Sequence, residues 1–353
     1  MKNTIRFVAL AAVSALALAA CSSAPEATPT PSGTTSTSTT PAAMVDYKPC
    51  MVSDAGGFDD KSFNQAGFEG LTAVSTDLGM TPSTAESKDG NEYGPNIDAM
   101  VADNCDLIFT VGFLLGDATK AAAEANTGTN FAIIDFAYDT AIDNIKPILF
   151  NTNEAAFLAG YAAAGTTQTG TVATFGGANI PPVTVFMDGF LRGVNYYNDQ
   201  NGTSVKVLGW DGSDGSFTGD FDDQTKGQNL AKGFIDQGAD IILPVAGPVG
   251  LGAAAAAKTA GNTWIIGVDS DWTKTTDYAD IILTSIMKNM GPAVYDVVDT
   301  SAVGSGFDNT PYIGTLENGG VGIAAFTGPV PAEVASALDG IKAGIIDGSI
   351  PTS

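Results

Sequence analysis

Asp54-Ala-Gly-Gly-Phe-Asp-Asp-Lys-Ser-Phe-Asn64 gathers three carboxylates, an ammonium, a hydroxyl, an amide and two aromatic rings within eleven residues. It follows the apolar run Cys50-Met-Val-Ser53 and opens a helical pattern at 61 to 77, which makes it a loop between strand and helix. Gly56 and Gly57 let the backbone turn sharply and approach a bound molecule, and open α/β sheets bind ligands just beyond the carboxyl ends of their strands. The plainer reading is a polar connection whose Asp and Ser cap the helix. Three other segments favour a ligand. Trp210 to Gln228 sets Phe217 and Phe221 among Gly, Asp and Ser, where a ring either stacks on a flat ligand or pins the loop. Pro244-Val-Ala-Gly-Pro-Val-Gly-Leu-Gly252 follows a strand and opens a helix whose amide groups face outward; Gly247, Gly250 and Gly252 there could equally serve a tight turn and close helix packing. Gly267-Val-Asp-Ser-Asp271 ends another strand, and Asp269 is placed to accept hydrogen bonds from two neighbouring sugar hydroxyls.

Enzyme templates fit poorly. The chain of 353 residues has no histidine, which removes Ser-His-Asp and Cys-His pairs and the commonest metal ligand. It has neither a zinc-type CxxC pair nor a Lys-Ser/Thr phosphate loop. Two carboxylates could still hydrolyse a glycosidic bond. A net charge of −24 gives no basic face for nucleic acid.

The elements that must hold these loops alternate. Apolar runs at 107 to 111, 131 to 134, 171 to 175, 205 to 209, 240 to 245, 264 to 268 and 281 to 284 are separated by helical patterns at 116 to 125, 154 to 164, 183 to 199, 225 to 237 and 249 to 259. Such alternation predicts an α/β protein of two lobes, each a parallel sheet with helices on both faces. The first lobe is expected over 46–152 plus about 285–325, the second over 153–284 plus about 326–353, with Asn151-Thr-Asn-Glu154 at the first crossing.

Ahead of them, residues 1 to 21 combine Lys2 and Arg6 with an apolar stretch too short and alanine-rich for a membrane span. Leu18-Ala-Ala-Cys21 resembles a bacterial lipobox, so Cys21 is expected to be acylated and the protein to sit lipid-anchored on the extracytoplasmic face of the cell membrane. Residues 22–45 are mostly Ser, Thr, Pro, Ala and Gly and read as a disordered tether with a mean reach of about 25 Å. Cys50 and Cys105 each start an apolar run; they form either a disulfide or two buried thiols, and export favours the disulfide.

Taken in order, Asp54 to Gln65, Val111-Gly-Phe113, Asn153-Glu-Ala-Ala-Phe-Leu-Ala-Gly160, Lys226-Gly227, Gly238-Ala-Asp240, Ala246-Gly247, Gly267 to Asp271 and Thr284-Ser285 with Lys288 resemble the basic membrane protein family of bacterial lipoproteins. The resemblance spans about residues 47 to 345. It implies a type I periplasmic binding protein fold, no catalysis and no cofactor, and a monomer that delivers a nucleoside, a purine one in the best understood members, to an ABC importer permease. Carried across by position, Phe63 and Phe221 would sandwich the base, with Phe221 preferred to Phe217 for its distance from Lys226-Gly227. Asp54, Asn64 and Asp135 would meet the base and its edge, Asp269 and Lys288 the ribose hydroxyls, and Gly247 would bring backbone close to the sugar. The loop 210 to 223 is longer than the family's usual turn. The competing expectations are a sugar or other small polar ligand in the same cleft, a surface nucleoside hydrolase or glycosidase, and an adhesive lipoprotein without a small ligand.

Overall fold

The structure is a computed structural model that describes residues 45–352. The signal segment with Cys21 and tether residues 22–44 lie outside the described residues. The first sheet contains β1 (Pro49–Ser53), β2 (Ser83–Ala85), β3 (Leu107–Val111), β4 (Asn130–Ile134) and β5 (Ile145–Phe150), joined through α1 (Phe63–Asp77), α2 (Gly90–Ala102) and α3 (Gly116–Ala125). The chain then crosses to α4 (Thr152–Thr166), β6 (Thr171–Gly176), α5 (Pro181–Asn201), β7 (Lys206–Leu208), α6 (Gln224–Asp236), β8 (Ile241–Val245), α7 (Val249–Ala260), β9 (Trp264–Asp269), α8 (Trp272–Thr275) and β10 (Ile282–Lys288). It returns for α9 (Met290–Ala302) and β11 (Tyr312–Gly314), and crosses once more for β12 (Val321–Ile323) and α10 (Ala332–Ile346).

The two sheets repeat one order, β11-β5-β4-β3-β1-β2 and β12-β10-β9-β8-β6-β7. Every pairing is parallel except that of β12 with β10. β10 stays in the second sheet through Lys288, so the chain returns to the first sheet after that residue rather than near 285, and β12 has rejoined the second sheet by Val321 rather than near 326. The crossings are tied together by backbone: Asn151 N–H donates to Gly314 O at 2.8 Å and Asn289 N–H to Gly320 O at 2.9 Å.

All five residues of β1 are buried, as a parallel strand covered on both faces requires. Alternate side chains serve different cores. Met51 joins Leu71, Val74 and Phe109 beneath α1, whereas Cys50 and Val52 join Ile97, Ala123 and Phe131 beneath α2 and α3. In the second lobe, α6 and α7 meet backbone to backbone. A Cβ on Gly227 would lie 2.0 Å from Val249 O and one on Gly252 would lie 1.9 Å from Gln224 O, so these glycines are packing residues.

Cys50 and Cys105 are bridged with their Cα atoms 6.0 Å apart, linking β1 to the residues that lead into its neighbour β3. The bridge spans 55 residues of sequence, and cross-linking a loop of that order stabilises a fold by about 2–4 kcal/mol, chiefly by restricting the unfolded chain. Cys50→Ser with Cys105→Ser is therefore expected to lower the unfolding free energy by about that amount. Superimposable urea curves for variant and parent would contradict it. No helix among the described residues is long and apolar enough to cross a membrane.

Candidate ligand-binding site

The carboxyl ends of the strands in both sheets open onto one cavity. After β1 comes Asp54 and the loop to Asn64, after β3 Gly112-Phe113-Leu114, and after β4 Asp135; from the second lobe come Ala246-Gly247-Pro248 after β8, Asp269 closing β9 and Lys288 closing β10. Phe63 of the first lobe and Phe221 of the second both line it. Phe217 does not; its ring packs edge-on to Trp210 at 6.1 Å and lies over Gly176.

Local chemistry explains how the loop after β1 is held. Asp60 caps α1, accepting from the backbone N–H groups of Ser62 at 2.9 Å, Asn64 at 2.8 Å and Gln65 at 3.0 Å. Those bonds neutralise the open end of the helix and present Phe63 and Asn64 to the cavity. Asp54 accepts from Asn64 Nδ2 at 2.8 Å. Its other oxygen lies where a side chain on residue 112 would go: a Cβ on Gly112, whose φ is 119°, would sit 2.4 Å from it.

Asp135 and Asp269 occupy equivalent places at the ends of β4 and β9, and both adopt left-handed backbone, with φ of 64° and 66°. Non-glycine residues held this way cost on the order of 1 kcal/mol and cluster at functional sites. Sequence reasoning set Asp135 at the base edge and Lys288 at the sugar; the structure joins these two in an ion pair across the lobes. The Lys288 ammonium also lies 4.6 Å from the ring centre of Phe63, 5.3 Å from Phe150 and 5.9 Å from Phe186, a cation held against three aromatic faces. Asp269 accepts instead from Ser62 Oγ at 2.7 Å. Ser270 Oγ and Thr275 Oγ1 add bonds to Lys61 O at 2.9 and 3.2 Å, so the lobes are clasped along this side.

Four acids and one lysine give the cavity an unusual charge balance. Burial pushes the Asp54 carboxyl up to about 8; the Asn64 bond opposes this, and the negative charges of Asp60, Asp135 and Asp222 add to it. Burial also raises Asp269, to about 6, against the opposing effects of Lys288 and Ser62. At neutral pH Asp54 therefore holds a proton and can donate as well as accept.

Phe150, Phe186 and the apolar wall of Ile180, Pro182 and Val183 escaped the sequence reading. One signal was present: Ile180-Pro-Pro-Val183 follows the glycine pair that ends β6, with proline placed to start a helix.

Two lobes of this topology, meeting over one site at their strand ends, have the periplasmic binding protein-like fold. The chain belongs to the Bmp family, ABC transporter substrate-binding proteins described as PnrA-like, which it matches over residues 48–348. It is thus an extracytoplasmic, membrane-associated binding protein of an ABC transporter and not an enzyme. It is 31% identical to the ABC transporter nucleoside-binding protein BmpA of Lactococcus lactis, covering 99% of this chain and 98% of that one. It is also 31% identical to basic membrane protein D of Borreliella burgdorferi, over 75% of each. Among solved structures, an ABC transporter solute-binding protein from Aeropyrum pernix superposes with a TM-score of 0.77 at 25% identity, covering 87% of this chain and 94% of that chain.

Proposed function

We propose that this protein is a lipid-anchored receptor that captures a nucleoside, a purine nucleoside by preference, and hands it to the permease of an ABC importer. The observation that carries the reading is the pairing of Phe63 and Phe221, one ring from each lobe, on the walls of a cavity that also contains Asp269 and Lys288. Rings approaching from opposite lobes suit a flat heterocycle, each adding about 0.5–1.5 kcal/mol beyond apolar burial. The carboxylate and ammonium at the ends of β9 and β10 suit vicinal hydroxyls, with Gly247 allowing backbone to approach the sugar. Asp54, Asn64 and Asp135 are assigned to the edge of the base. The name of the Lactococcus lactis relative points the same way.

Acylated at Cys21 and tethered through residues 22–45, a monomeric receptor would work a short distance from the membrane. No nucleic acid partner and no cofactor enter this account. A thermal-shift screen of nucleosides, free bases and monosaccharides tests it. A nucleoside at 100 times its dissociation constant should stabilise the fold by about 2.7 kcal/mol, and a screen in which only monosaccharides shift the transition would replace the reading with a sugar receptor.

A further inference from the structure

The loop that carries Phe217 and Phe221 lies along the carboxyl end of β6. Gly176 N–H donates to Ser216 O at 3.0 Å, Thr218 N–H to Gly176 O at 3.0 Å and Gly219 N–H to Gly177 O at 2.8 Å. Gly177 N–H is bonded to Val245 O of β8 at 2.9 Å. Neither glycine has the left-handed backbone that would itself call for glycine, so what each supplies is room for a close approach. A Cβ on Gly176 would lie 2.7 Å from two ring carbons of Phe217, and one on Gly177 would lie 2.3 and 2.5 Å from Cε1 and Cδ1 of Phe221. Carbon atoms in contact sit about 3.5–4.0 Å apart.

The two rings of the loop therefore rest on successive glycines, Phe217 turned into the second lobe against Trp210 and Phe221 lining the cavity. Gly177 does not itself line the cavity. We propose that Gly177 is a positioning residue for ligand recognition: by carrying no side chain it lets the Phe221 ring lie back against the end of β6, and so sets the width left for a flat base between Phe221 and Phe63. The proposal rests on the nucleoside reading above. With the loop backbone bonded at Thr218 and Gly219, a methyl group at position 177 must displace the ring by about 1 Å, and the open space beside the ring is the cavity. A close-packed site does not absorb a step of that size without loss.

Calorimetric titration with a purine nucleoside of the parent, Gly177→Ala, Phe221→Ala and the double variant forms a cycle that separates positioning of the ring from a general structural role. With Phe221 present, Gly177→Ala should weaken binding by about tenfold or more, the equivalent of roughly 1.4 kcal/mol or above. In the Phe221→Ala background no ring remains to be displaced, and the same change should cost about threefold or less. A loss below tenfold in the first background, or above threefold in the second, overturns the proposal while leaving nucleoside binding in place. Should Gly177→Ala alone fail to fold, urea unfolding of the double variant decides. A cooperative transition regained there shows that the ring needs the space at Gly177, whereas failure of both to fold makes Gly177 a residue of the fold and overturns the assignment. A parent that binds no nucleoside removes the nucleoside reading, and this proposal with it.

Discussion

Lys288→Met is expected to lower the unfolding free energy by about 3–5 kcal/mol at neutral pH and to abolish ligand binding, although methionine fills much of the space left by the lysine stem. The cause is the company the ammonium keeps. Lys288 is 3% exposed and paired with the partly buried Asp135, while it also offsets the negative charge of Asp269. Removing the ammonium leaves Asp135 and Asp269 without the countercharge that it supplies. Adding Asp135→Asn should return a large part of the loss, because a neutral amide no longer needs the lysine. Urea unfolding of the two variants beside the parent measures both effects, and a single variant within about 1 kcal/mol of the parent would show that the pair is a minor contact.

The second large effect is a pH dependence set by Asp54. Its carboxyl is raised from 3.8 to about 8 in the folded protein, so between those values the folded state holds a proton that the unfolded chain releases. Stability contributed by this group is present below about pH 4 and is lost as the pH rises toward 8, by up to about 1.4 kcal/mol per unit. Asp269, raised to about 6, acts in the same direction over a narrower window. Asp54→Asn keeps an acceptor for Asn64 and has no proton to lose. The variant should therefore gain on the parent steadily from pH 5 to pH 8, reaching a difference of a few kcal/mol. Parallel stability curves across that range would show that Asp54 is ionised in the folded protein and that the crowding of acids around it is relieved by solvent.

What the sequence disclosed followed the strength of its local signals. β1, β3, β6, β8 and β9 are buried apolar runs bounded by turn formers, and they stood out as strands. α2 did not, because Gly90, Gly94 and Pro95 interrupt its pattern; an Asp89 cap on the Asn91 N–H and burial of Tyr93, Ile97 and Met100 hold it instead. β2, β11 and β12 have three residues each, and their strand character comes from neighbours in the sheet rather than from their own composition. The place where β10 ends was blurred for a related reason. Ile282–Lys288 finishes in a polar residue whose burial depends on Asp135 of the other lobe, and nothing within the run announces that partner.

At the cavity, polar loops after strands stood out in the sequence, although part of their chemistry is structural, as in the Asp60 cap on α1. Phe186 did not, because an aromatic ring within a helix looks like core until the fold turns it toward the cleft. The left-handed backbone at Asp135 and Asp269, and the ion pair that joins Lys288 to Asp135, depend on tertiary structure alone.

Isothermal titration of the protein with a purine nucleoside, set against D-ribose and repeated with Phe63→Ala, tests the receptor assignment most directly. The expected result is saturable one-to-one binding of the nucleoside, which is recovered intact, no comparable heat from ribose, and a loss of tenfold or more in the variant from missing burial and stacking. Saturable binding of a monosaccharide at one site, with no heat from any purine nucleoside, would contradict it.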